Sequence, residues 1–156
     1  MINIDTQLEL PVDPALLEKA AAHTLSYTRA GIDLELTLVI GDDALLQQYN
    51  RQYLGIDAPT DVLSFPAEYT DPDTQARYLG DILISLPRAQ QQSAAGGQPL
   101  ADELQLLVVH GVLHLLGHDH TSSAEAGRMQ AAQDAIMALL GSHNSPLLGI
   151  EPDQTA

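Results

Sequence analysis

The chain is predicted to be an α+β domain: about four short strands in one small sheet, surrounded by about five helices. Three observations predict it. Alternating apolar runs and helix-period runs are interleaved from end to end, without a linker between them. Each run is bounded by its own cap, glycine or proline. The length, 156 residues with 45% hydrophobic side chains, suits one core.

Residues 2–10 alternate, with Ile2, Ile4, Leu8 and Leu10 on one parity and Asn3, Asp5 and Gln7 on the other, which predicts a half-buried strand. Asp13 and Pro14 form an N-cap followed by proline at the first helical position, opening a helix expected to run to Ala30 and stop at Gly31. Leu34, Leu36, Leu38 and Ile40 alternate with Asp33, Glu35 and Thr37 in a second strand. A short helix is expected over 42–53, with Leu45, Leu46 and Tyr49 as its apolar face. Residues 60–66 form a third strand ending at Pro66, and the polar stretch 67–77 with Pro72 reads as an exposed loop. The fourth strand covers 79–85. A helix opened by Pro87 ends at Gly96–Gly97, and a long apolar helix follows over 100–116. Ser122 and Glu125 have capping-box spacing for a last helix that ends at Gly141, with Met129, Ala132, Ile136 and Leu139 as its buried stripe. The single domain therefore spans 1–141, and 142–156 is expected to be a flexible tail.

Composition excludes several functions. Without cysteine there is no disulfide, thiolate zinc site or cysteine nucleophile. No apolar run reaches membrane-spanning length, and the acidic, alternating N-terminus has no signal-peptide pattern, so a cytoplasmic location is expected. Six Lys+Arg stand against 21 Asp+Glu, a net charge of −15. Such a chain is not expected to bind nucleic acid through its overall charge, because that binding is driven by phosphate neutralisation. A role on nucleic acid requires a local positive site.

The segment HGVLHLLGHDH carries chemistry. His110 and His114 are four residues apart, so both imidazoles lie on one helix face, about one turn apart, and reach one ion. Gly117 can end the helix and turn the chain, letting His120 approach from a loop. Three neutral imidazoles with one open position are the donor set of catalytic zinc. The spacing is that of metzincin proteases, whose glutamate general base is here Gly111, so that protease mechanism is disfavoured. Gly111 instead leaves space beside the metal or admits another helix. His118 competes as a ligand or lies in the pocket. Asp119 is placed to orient a ligand histidine or to shape the turn, and Asp119, Asp61 and Asp81 are the carboxylates available as a base.

Together with PTDVLSFP at 59–66 and LGDILIS at 79–85, this segment resembles the signature blocks of the YbeY family, in the same order, over roughly residues 33–140. The resemblance implies a mostly parallel sheet with a zincin-like metal site, and one zinc ion per chain on His110, His114 and His120. It implies a single-strand-specific, metal-dependent endoribonuclease of 16S rRNA 3′-end maturation and ribosome quality control. The implied partners are ribosomal RNA, the small ribosomal subunit and its proteins or an assembly GTPase, without membrane or DNA. Two positions depart from the family pattern. His118 stands where an aromatic, often tyrosine, is usual, and Leu54 stands where the family has an arginine implicated in activity. Arg51, three residues earlier, is the candidate to replace it, so the catalytic candidates are Arg51 and Asp119. The rival functions are a non-catalytic zinc-containing ribosome-assembly factor and a metal-dependent peptidase or small-molecule hydrolase.

Overall fold

A computed structural model describes residues 1–31, 33–119 and 121–141. Along the chain run β1 (Ile2–Thr6), α1 (Pro14–Tyr27), β2 (Leu34–Gly41), α2 (Asp43–Tyr49), a π-helical turn (Asn50–Leu54), β3 (Val62–Thr70), β4 (Arg77–Ser85), α3 (Leu86–Gly96), α4 (Leu100–Leu115) and α5 (Ser123–Leu140). The four strands form one sheet in the order β1-β2-β4-β3. β1 and β4 pair parallel with β2, and β3 runs antiparallel on the edge of β4. The architecture is α+β with a mostly parallel sheet.

Side-chain alternation divides the sheet into two faces. Leu34, Leu36, Leu38 and Ile40 of β2, with Ile82 and Ile84 of β4, join α1, α4 and α5 in the main core. Leu63 and Leu83 face the other way, against Leu46 of α2, with Tyr49 and Phe65 around them. Helix α4 lies inside the first layer, where every residue from Glu103 to Leu115 is buried. A helix apolar all round is stable only when enclosed in this way.

Four boundaries differ from the expectation. β1 ends at Thr6, whose hydroxyl donates to the Ile40 carbonyl (2.8 Å) and accepts from the Leu8 amide (3.1 Å), turning the chain off the sheet. Helix α1 ends at Tyr27, and the left-handed residue after it is Arg29, ahead of Gly31. The expected helix 42–53 changes pitch at Asn50. That buried side chain donates to the Ala58 carbonyl (3.0 Å), a bond that ties the widened turn to the following loop. The expected loop 67–77 is largely hairpin: β3 continues past Pro66 to Thr70 and β4 begins at Arg77. Pro66 is tolerated because β3 is an edge strand with a register shift between Pro66 and Tyr69. Across the pair the rings of Tyr69 and Tyr78 stack at 5.3 Å. Both ends of this hairpin are largely exposed, so no apolar alternation marks it in the sequence.

Candidate active site

Helix α4 delivers His110 and His114, which are 2% and 7% exposed, with ring centroids 4.7 Å apart. Its end is built as the spacing predicts. Gly117 has φ +97°, its amide donates to the His114 carbonyl (3.0 Å), and the His118 amide donates to the Leu113 carbonyl (3.0 Å). This is a Schellman motif, and it sends the chain back toward the histidines' end of the helix. His120, the third expected ligand, lies outside the described residues, as does the 142–156 tail. Among the described residues no three histidine, aspartate or glutamate side chains come together as a metal-binding group.

A residue that sequence reasoning missed orients the first imidazole. Gln133 of α5 is buried, and its Oε1 lies 3.1 Å from His110 Nδ1. An amide oxygen only accepts, so Nδ1 carries the proton and Nε2 keeps its lone pair, the form in which histidine ligates a metal. The signal was available: α5 buries Met129, Ala132, Gln133, Ile136 and Met137, and the polar member of such a stripe needs a partner. Leu139, expected in that stripe, is 63% exposed, while Met137 is buried and Leu140 packs against the core in the last turn.

Gly111 has a different use from either expected one. A Cβ there would stand 2.6 Å from Ile82 Cγ2, so the missing side chain admits strand β4, not a helix. Ser64 of β3 locks the same spot by donating to the Gly111 carbonyl (3.1 Å). The helix is thus pinned to the sheet between its two histidines.

Beyond the helix end, Leu116, Gly117, His118, Asp119, Glu125 and Arg128 line an open cleft of about 220 Å³. A hydrogen bond shared with Glu125, then the amide and hydroxyl of Thr121, hold the Asp119 carboxyl down at about 2, and the charge of His114 adds to the effect. Thr121 Oγ1 is 2.9 Å from Asp119 Oδ1 and 2.6 Å from Glu125 Oε2, yet carries one proton for the two carboxylates.

The other candidate carboxylates are occupied elsewhere. Asp61 is buried, accepts the Val62 amide (2.9 Å) and the Gln92 side chain (2.9 Å), and has its pKa raised by that burial. Asp81 accepts from the Tyr78 hydroxyl. Arg51 is exposed on the π-helical turn, whose Tyr53 packs on Phe65 (5.2 Å), on the sheet face away from α4. The structure does not bring Arg51 into the cleft.

The donor set fits a zinc-like ion: imidazole nitrogens, one already oriented by an amide oxygen, with an ionised carboxylate just past the helix end.

Fold and site define an α+β domain that presents paired imidazoles at the end of a core helix clamped to a mostly parallel sheet. The family model described as Endoribonuclease YbeY matches residues 3–141. The chain is 48% identical over 116 residues to the endoribonuclease YbeY of Moorella thermoacetica, covering 70% of this chain and 74% of that one. It is 45% identical over 148 residues to that of Chloroflexus aurantiacus, covering 89% and 96%. The solution structure of TM1509 from Thermotoga maritima superposes with a TM-score of 0.60 at 25% identity, over 90% of this chain and 89% of that one. The chain belongs to the YbeY family.

Proposed function

We infer that this protein is an endoribonuclease, a hydrolase that cleaves RNA in ribosomal RNA processing. The observation that carries the reading is the clamped histidine helix in a chain that matches the family from residue 3 to residue 141. We further propose one zinc ion per chain, held by His110, His114 and His120 in a zincin-like site within a single hydrolase domain over 1–141. Once bound, such an ion lowers the pKa of water and polarises a phosphate oxygen. The chain's own residues do the rest. Gln133 keeps His110 in the ligating tautomer. Asp119, its carboxyl held low by its bonds to Glu125 and Thr121, serves to orient and balance charge at the site. Arg51, expected from the sequence to stabilise charge at the cleaved phosphate, belongs to an element of the other layer, so no role in the chemistry is assigned to it. The substrate is single-stranded RNA at the 16S 3′ end, acted on in the cytoplasm with the small ribosomal subunit and its proteins or an assembly GTPase, in maturation and quality control. No helix among the described residues is long and apolar enough to cross a membrane.

The test compares wild type with His114→Ala, freed of contaminating nuclease, on single-stranded and structured ribosomal RNA, with zinc content measured by mass spectrometry. Cleavage and near-stoichiometric zinc in the wild type, both lost in the variant, are expected. Equal cleavage by the two proteins would point to a contaminant and reject the assignment. Zinc without cleavage would favour the assembly-factor function, and chelator-sensitive peptide turnover the hydrolase one.

A further inference from the structure

A chain of net charge −15 has little general attraction for RNA, so whatever positive charge meets a phosphate at this site must be local. All six basic residues lie among the described residues, which allows elimination. Arg88 sits 3.5 Å from Asp43 beside α2. Arg77 opens β4, its amide bonded to the Asp33 carbonyl (2.8 Å) in the β2–β4 pairing. Arg51 is on the opposite sheet face, and Lys19 and Arg29 belong to α1 and its exit, outside the cleft. Arg128 remains: it is exposed, stands in the second turn of α5, and lines the cleft with His118 and Asp119.

We propose that Arg128 is the positioning residue that draws the RNA phosphate into this cleft. The inference rests on the endoribonuclease reading. A guanidinium offers planar, paired donors that match phosphate oxygens, and it keeps its charge at any working pH. Asp119 and Glu125 line the same cleft and repel a phosphate, so docking there depends on the charge of Arg128. Met129 and Ala132 are buried, so the helix that carries Arg128 is anchored in the core beside the cleft.

The experiment measures binding of a fluorescein-labelled single-stranded RNA oligonucleotide by anisotropy across a salt series, and cleavage kinetics in parallel. It uses wild type, Arg128→Ala, Arg128→Lys and Arg29→Ala, with zinc content checked for each. Arg128→Ala is expected to weaken binding and raise KM about tenfold, with kcat changing far less. The slope of log K against log salt should fall by about 0.7, the value for one lost phosphate contact on a single strand. Arg128→Lys should recover part of the loss, and Arg29→Ala should match wild type. Unchanged binding and slope in Arg128→Ala would overturn the proposal, and so would an equal loss in Arg29→Ala, which would mean that only net charge matters. If wild type binds through Arg128 without cleaving, the phosphate contact stands and the nuclease reading fails. If it cleaves and Arg128 is neutral, the reverse holds.

Discussion

Gln133 makes a single hydrogen bond to His110, and that bond decides which ring nitrogen is available to a metal. Replacing it with leucine keeps the volume and removes the acceptor. Gln133→Leu is expected to weaken affinity for the proposed zinc ion about 10–100-fold, as loss of an orienting partner does elsewhere. Competition with a calibrated chelator measures it, and an unaltered affinity would show that the imidazole is held by packing alone. The bond between them is not visible locally: the two residues are 23 positions apart and meet only because α4 and α5 pack together. The i, i+4 pairing of His110 and His114, by contrast, is a property of helix geometry and could be read from the sequence.

At the level of the element, α4 combines two requirements. It must stay close to the sheet at Gly111, and it must stop just after His114. Gly111→Ala puts a methyl 2.6 Å from Ile82 Cγ2, a contact to a branched and fully buried side chain that cannot rotate away. The expected cost is about 1–3 kcal/mol in urea denaturation, typical of overpacking. A variant of wild-type stability would mean that the strand yields freely. The stop at Gly117 was legible because glycine announces a left-handed end, whereas the use of Gly111 was not, since a mid-helix glycine gives no hint of what approaches it. The same contrast holds for β3 and β4. Their inner halves are apolar, β-rich runs buried on both faces and were legible as strands. The outer hairpin is held by pairing and the Tyr69–Tyr78 stack, which leave no pattern in a single strand.

Across the whole molecule, a buried polar corner links β3, α3 and α4. Glu103, 1% exposed, accepts from Gln98, and burial pushes its pKa up to about 7, helped by the nearby charge of Asp61. Because the folded state holds this proton more tightly than the unfolded state, its contribution is fully present below pH ~4.5 and is lost as pH rises to about 7. The loss is on the order of 3 kcal/mol. Denaturation at a series of pH values should show stability falling across this window, and Glu103→Gln should make the fall shallower, leaving the contribution of Asp61 with its own raised pKa. Identical pH profiles for the two proteins would place the proton elsewhere. Nothing in the sequence marks Glu103 as buried; in the first turn of a helix an acid usually faces water, where it complements the dipole.

By itself, the sequence determined what depends on near neighbours: the strand and helix periods, the caps, the paired imidazoles one turn apart and the glycine that ends their helix. These follow from backbone geometry over a few residues. The tertiary structure alone decided which face of the sheet each helix covers, and therefore that Gln133 and Arg128 lie by the histidine helix while Arg51 lies on the far side. Such assignments depend on packing between segments distant in the chain, and spacing along one segment carries no record of them.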